Sequence, residues 1–466
     1  MSPLHIFVQK CRLFDIMNGK YIQIRRHVLK ELTFEQLNRF REGFESDPHA
    51  RAANAAMAKT ELADLAYLPM KAARLMGDFT VEVKTKGITA QEKSGRCWMF
   101  AAMNILREVA AEKLGVEQFE FSENYLAFYD KLEKTNNFLE MIIESAGEKL
   151  DSHIMEHLLN FGFGDGGYWE QAVGLIRKYG LVPKYVMPES YQSSHTDKFM
   201  TLLNNTVRRY AAELRNMKAE GSDRDALEEA KEQMMAAVYK AECIVFGEPV
   251  NNFDFEYRDK DGGYHADYGL TPGEFYDKYV GEDLDRFVTV MNAPTEKMET
   301  GKYYVFHNMC CQAGMDLHAL NLTAEEMEEL ALAQLKDGVP VWFGCDSGAF
   351  GDRKAGVWDP DSFAYSELLG GLDWNMEKKE RLDYKQSGAT HAMILVGVNL
   401  DRDGCPDRWK IENSWGKEVG REGYFVASEK YFREYVYEVI IDRKYLDDEQ
   451  RALLETEPIR LEPWEA

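Results

Sequence analysis

Four apolar or alternating runs crowd the last third of the chain, at residues 392–398, 408–412, 423–427 and 435–441. Gly, Asp and Asn separate them, so they read as strands joined by turns. Ahead of them the periodicity is helical. Thr33 with Gln36 forms a capping box, with Leu32 and Leu37 placed as a hydrophobic staple. The signature recurs at Thr323 with Glu326, flanked by Leu322 and Met327; that helix continues through Leu330, Ala333 and Leu335 to a stop at Gly338. Residues 339–343 then read as a buried strand. The span 202–245 is helical and highly charged. Within it, 223–240 offers Leu227, Met234, Met235 and Val238 as apolar positions and leaves its charges to a solvated face. Helices first and strands last point to an α+β fold.

The composition narrows the chemistry. Eighty acidic residues against 56 basic ones leave a formal charge of −24 in a chain of 466 residues. Such a surface repels phosphate backbones, which argues against nucleic acid, and suits cationic ligands such as peptide amino termini. The seven cysteines (Cys11, Cys97, Cys243, Cys310, Cys311, Cys345 and Cys405) are odd in number and contain no Cys-x-x-Cys pair. That pattern fits free thiols in a reducing compartment. No 18-residue apolar run and no signal-peptide pattern occurs, so the chain reads as cytoplasmic with no membrane partner. Residues 1–30 are basic and unlike the rest of the chain, and read as an extension or as an over-long start with Met17 as the alternative.

The segment from Gln91 to Phe100 carries the most chemistry. After Gly95 the pattern turns helical, with Trp98, Ala101, Ala102, Ile105, Leu106 and Val109 on one face, which puts Cys97 at a helix N-terminus. There the dipole and unpaired N–H groups favour a thiolate. Gln91, six residues upstream, is placed to curl back and join the Cys97 N–H in holding an oxyanion. A free cysteine is more often a small buried hydrophobe, and a lone histidine such as His391, at the mouth of the apolar run 392–398, is ordinarily structural. The segment ending in Asn413-Ser414-Trp415-Gly416 changes the balance. Adjacent strands can bring Asn413 to one imidazole nitrogen of His391 while the other faces Cys97, an arrangement that activates a thiol. Trp415 is placed to roof that hydrogen bond.

Together, Gln91, Gly95-Arg96-Cys97-Trp98, His391 and Asn413-Ser414-Trp415-Gly416 resemble the papain superfamily of cysteine peptidases. Arg96 directs the resemblance to the bleomycin hydrolase/aminopeptidase C branch. It continues through Ser122–Tyr125, 130–134, Asp165-Gly166-Gly167, 253–259 and 342–346. His391 follows Cys97 by 294 positions, a surplus of roughly 150 over papain itself. The resemblance therefore implies a two-subdomain papain-like fold over 31–466, with a helical left subdomain, a β-barrel-like right subdomain and a helical insertion near 193–320. It further implies a ring-like homohexamer and peptide substrates that pair with the backbone of Gly166 and Gly167.

In that branch a C-terminal arm, here about 456–466, lies in the cleft, and its final carboxylate meets the substrate's amino group, a role that falls to Ala466. The arm is about five residues shorter than usual, roughly 15 Å of reach. The expected activity is thus aminopeptidase on short peptides, with endopeptidase action as the alternative and a non-catalytic scaffold as a remote one. His153-Ile154-Met155-Glu156-His157 has a zinc-peptidase spacing but no identifiable third ligand, so no metal and no cofactor is assigned. Asp346 reads as a structural carboxylate or a cleft residue.

Overall fold

The computed structural model describes residues 30–306 and 316–465. Residues 1–29 and Ala466 therefore lie outside the described residues, as do Cys310 and Cys311. The architecture is α+β, with helices packed against both faces of a large sheet, as the papain-like resemblance implies.

Helix α1, Cys97–Leu114, is central. Sequence periodicity assigns it a single apolar face. The structure instead buries it continuously from Trp98 to Arg107 and again at Ala110 and Ala111, while Val109 is only half-buried. The reason is position, since α1 packs against α2 (Glu123–Glu144) and α4 (Trp169–Tyr179) as well as against the sheet. Helix α3, His153–Phe161, lies between α2 and α4 in the chain.

The charged span 202–245 forms two helices, α5 (Asp197–Ala219) and α6 (Arg224–Phe246). The break falls at Gly221, whose φ of 98° suits glycine. Asp223 restarts the helix by accepting from the Ala226 N–H at 3.0 Å. Leu227, Met234 and Val238 turn inward against α2 with Leu203, Val207 and Leu214, and Met235 packs on this cluster half-buried.

Beyond α6, the helical reading of 193–320 needs correction. Phe253–Arg258 (β1) and Tyr264–Leu270 (β2) pair as a hairpin. Phe287–Met291 (β3), Lys302–Phe306 (β4) and Leu317–Asn321 (β5) join the main sheet. These are short runs whose backbone groups are satisfied by sheet neighbours, an environment that local periodicity does not reveal. Helix α7 (Ala324–Lys336) carries the expected capping box at Thr323 and Glu326. The box at Thr33 is present too, although its staple residues Leu32 and Leu37 are exposed.

The remaining strands of three or more residues are β6 (Val341–Cys345), β7 (His391–Leu400), β8 (Pro406–Glu412), β9 (Tyr424–Ser428), β10 (Val436–Asp442) and β11 (Ile459–Leu461). All four C-terminal runs read from the sequence are strands. The order across the sheet is β11-β4-β5-β3-β10-β6-β7-β8-β9, continued beyond β9 by the two-residue strands Val357–Trp358 and Gly351–Asp352, while Val81–Glu82 pairs with β7. Two register pairs position the site: Ala392 and Glu438 each lie opposite Gly344, from β7 and β10 on either side of β6. Among the described residues, no helix is long and apolar enough to cross a membrane.

Candidate active site

Cys97 is the first residue of α1, and the loop before it is clamped to the segment after β8. The Gln91 N–H donates to the Ser414 carbonyl at 2.8 Å, and the Gly416 N–H to the Thr89 carbonyl at 3.0 Å. The Gln91 side chain accepts from Ser414 Oγ at 2.7 Å and donates from Nε2 to the Ser94 carbonyl at 2.6 Å. Nε2 carries two hydrogens, so one remains for the cleft. Arg96 does not face substrate. Buried, it donates through both terminal nitrogens to Glu189, at 3.1 and 3.0 Å, and through Nε to Ser94 Oγ. It fixes the turn from which α1 starts.

His391 opens β7, and Asn413 follows directly on the neighbouring β8. His391 Nε2 lies 2.9 Å from Asn413 Oδ1, which also accepts from the Ser414 N–H at 2.8 Å. Two donors on one atom identify it as the oxygen, so Nε2 bears the hydrogen and Nδ1 keeps its lone pair. Trp415 stacks on the imidazole, with ring centroids 4.7 Å apart and planes at 23°. The Arg353 guanidinium lies over the outer face of the indole at 3.8 Å. Gln91, Cys97, Gly166 and His391 line one cleft of about 760 Å³. The Ala392 N–H, one residue from the imidazole, bears on the Cys97 thiol and favours its anion.

Electrostatics at the pair differ from the sequence expectation. Burial pushes the Cys97 thiol up, opposed by the N–H groups of Ala392, Trp98 and Cys97 itself. Burial also pushes His391 down, to about 4, with Asn413 resisting and Arg353 adding to the effect. The helix N-terminus favours a thiolate, but desolvation is the larger influence. Burial thus opposes the charged form of each group taken alone.

The two glycines opposite Cys97 differ in purpose. A Cβ at Gly166 would meet nothing within 4 Å, whereas one at Gly167 would stand 2.6 Å from the Trp98 ring. Gly166 therefore keeps the cleft open and Gly167 lets the loop pass over α1. Lys134 Nζ holds this loop by donating to the carbonyls of Gly164 (2.9 Å) and Gly166 (2.6 Å). Asp165 accepts from the Gly95 N–H at 3.0 Å and pairs with buried Lys131 at 3.0 Å, and Trp98 Nε1 donates to its carbonyl. Despite burial, Lys131 holds the Asp165 carboxyl well below the usual range. Residue pattern alone does not reveal this buried network, because Asp130, Lys131 and Lys134 lie on a helix that carries many other polar residues.

His153 and His157 flank Trp464 of the C-terminal segment, with ring centroids 6.3 and 6.0 Å away. Asp346 is structural in its contacts, accepting from Ser387 Oγ at 2.6 Å and the Gly348 N–H at 3.0 Å. Ala466 lies outside the described residues.

The family model described as Peptidase C1-like family matches residues 31–466. The chain belongs to that family. Among its relatives, the peptidase is 40% identical over 436 residues to aminopeptidase C of Listeria monocytogenes, covering 93% of this chain and 98% of that one. It is 39% identical over 437 residues to aminopeptidase G of Lactobacillus delbrueckii subsp. lactis, covering 94% and 99%. The crystal structure of PepW from Lactobacillus rhamnosis HN001 superposes with a TM-score of 0.90 at 39% identity, covering 93% of this peptidase and 98% of that chain. The branch marked by Gly95-Arg96-Cys97-Trp98 is thus the one to which this cysteine peptidase is similar along almost its whole length.

Proposed function

We propose that this cysteine peptidase is an aminopeptidase that removes N-terminal residues from short peptides, with Cys97 as nucleophile. The observation that carries the reading is the His391–Asn413 hydrogen bond under Trp415, at the edge of the cleft lined by Cys97. In the proposed cycle the Cys97 proton passes to His391 Nδ1 and the sulfur attacks the scissile carbonyl carbon. The Cys97 N–H and Gln91 Nε2 take the charge that grows on the carbonyl oxygen. The imidazolium then gives its proton to the leaving amine, and a thioester remains. His391 next takes a proton from water, the hydroxide equivalent attacks the thioester, and the carboxylic acid departs as the thiol is restored.

Gly166 presents open backbone for pairing with the peptide. The exopeptidase reading draws on the relatives' names and on an acidic chain that suits cationic amino termini. Segments 193–320 and 456–466 are assigned as the family's insertion and arm. A ring-like homohexamer in the cytoplasm completes the reading; Phe34–Ser46, a helix with no buried residue, exposes Phe34, Phe40 and Phe44 for such contacts.

Matched peptides with free and acetylated amino termini test the activity. Release of single residues from free amino termini only is expected. Preferred cleavage of acetylated peptides would replace the assignment with endopeptidase, and no hydrolysis at all with a non-catalytic scaffold.

A further inference from the structure

One carboxylate in the cleft wall is tied to three elements at once. Asp165, in the loop between α3 and α4, lines the cleft with Cys97, and its side chain is 9% exposed. Oδ2 accepts from the Gly95 N–H at 3.0 Å, in the turn before α1, and from Thr196 Oγ1, the residue before α5. Oδ1 pairs at 3.0 Å with Nζ of Lys131 on α2, which is fully buried. The main-chain carbonyl of Asp165 accepts from Trp98 Nε1 at 2.7 Å. Its contacts to Gly95 and Trp98 thus bracket the nucleophile in the chain. A Cβ at Gly95 would stand 2.8 Å from Asp165 Cβ, so this approach requires glycine.

Two segments with different tasks meet at this residue. The carbonyls of Gly164 and Gly166 are held by Lys134 Nζ, independently of the Asp165 carboxylate. The turn that delivers the Cys97 N–H is secured by Arg96 at Ser94 and by the carboxylate at Gly95. The charge itself works against the reaction. Burial is the larger cause of the raised Cys97 thiol, and the Asp165 anion adds to it. What this side chain contributes to the chemistry is therefore position, and small displacements of reacting groups are costly in rate.

We propose that Asp165 is a positioning residue for the peptidase reaction: anchored on Lys131, its carboxylate fixes the Gly95–Cys97 turn, and with it the Cys97 N–H, against the loop that carries Gly166. This role rests on the peptidase reading and deepens it by naming the group that sets the oxyanion donor.

Asp165→Ala and Asp165→Asn are compared with the unaltered chain in steady-state kinetics and in the rate at which iodoacetamide alkylates Cys97. Alanine removes the acceptor for Gly95, whereas asparagine keeps an oxygen for it and loses the charge. Lys131 retains Asp130 at 2.5 Å in both. Asp165→Ala is expected to lower kcat about 10²-fold with KM within about threefold, since Lys134 still holds the Gly166 backbone. Asp165→Asn is expected to recover kcat to within about tenfold of the unaltered chain. Alkylation needs the thiolate but no oxyanion donor, so Cys97 is expected to react at least as fast in both variants as in the unaltered chain. An unchanged kcat in Asp165→Ala, a loss carried by KM, equal losses of kcat in the two variants, or alkylation that slows in step with turnover each overturns the proposal. If Asp165→Ala does not fold, Lys131→Met is read in its place; it removes the anchor and leaves the acceptor, and Asp130 keeps Lys134 at 3.0 Å. A lower kcat at unchanged KM then supports the proposal, and an unchanged kcat overturns it. Hydrolysis by the unaltered chain is measured first: its absence removes the peptidase reading and this role with it, whereas hydrolysis that Asp165→Ala leaves intact removes the role alone.

Discussion

His391 Nε2 lies 2.9 Å from Asn413 Oδ1, with the Trp415 ring stacked 4.7 Å from the imidazole. Because the oxygen accepts from both Nε2 and the Ser414 N–H, the tautomer that leaves a lone pair on Nδ1 is fixed by the neighbouring strand rather than by substrate. Replacing Asn413 with alanine frees the ring to rotate and removes the one contact that raises its basicity. Asn413→Ala is expected to lower kcat/KM by about 10²-fold while the melting temperature changes little. Steady-state kinetics beside a thermal melt measure both.

The glycine pair gives opposed outcomes. Gly166→Ala meets no atom within 4 Å, so it is expected to fold normally and raise KM by narrowing the cleft. Gly167→Ala drives a methyl into the Trp98 ring and the Gln171 amide and is expected to destabilise by about 1–3 kcal/mol. Urea unfolding together with KM values distinguishes the two.

Helix α1 and strand β8 are tied by a buried ion pair, Arg107 to Glu412 at 2.9 Å. Arg107 also donates to Asn104 Oδ1, and Asn104 to Thr89 Oγ1 in the loop before Gln91. Arg107→Met leaves Glu412 without its partner and is expected to cost about 3–5 kcal/mol. Adding Glu412→Gln is expected to recover part of the loss, read as a rise in the urea midpoint.

Stability should also depend on Glu438. Its folded pKa is raised by burial to about 8 from an ordinary 4.5, with Glu170 adding to the rise and Tyr168, Tyr437 and Lys385 lining a cavity with it. Above about pH 4.5 the unfolded chain releases this proton while the folded chain retains it. The stability from this group is therefore full below that pH and is lost as pH rises towards 8. Between pH 5 and 7 the loss is about 2.5 kcal/mol. Melting temperatures at the two pH values should fall less in Glu438→Gln than in the natural chain; parallel falls would exclude the effect.

Much of this molecule was legible in its residues. The four C-terminal runs became strands because period-two patterning and turn residues are local signals, and the Thr323–Glu326 box became a helix start for the same reason. Gln91, Cys97 and His391, each beside a distinctive neighbour such as Trp98 or the apolar strand after His391, line one cleft. What sequence concealed depends on distant partners. Strands β3 to β5 draw their pairing from the sheet, and α1 is buried all round only because two other helices and the sheet enclose it. Arg96 looked like a family marker beside the nucleophile, yet its role is to hold Glu189. The thiol shift was read from the helix N-terminus alone, and desolvation, a property of the closed cleft, outweighs it. Glu438 sits in a strand otherwise read as apolar.

The proposed chemistry turns on Cys97 being the activated thiol. Among the described cysteines, Cys405 is exposed, Cys97 and Cys243 are half-buried, and Cys345 is buried. Exposure alone would direct an alkylating reagent to Cys405 first. Limiting iodoacetamide near neutral pH, followed by peptide mapping and residual activity, measures the order of modification. Cys97 is expected to be modified fastest, with peptidase activity falling in step with its modification. Faster labelling of Cys405, with activity retained after Cys97 has been alkylated, would contradict that role.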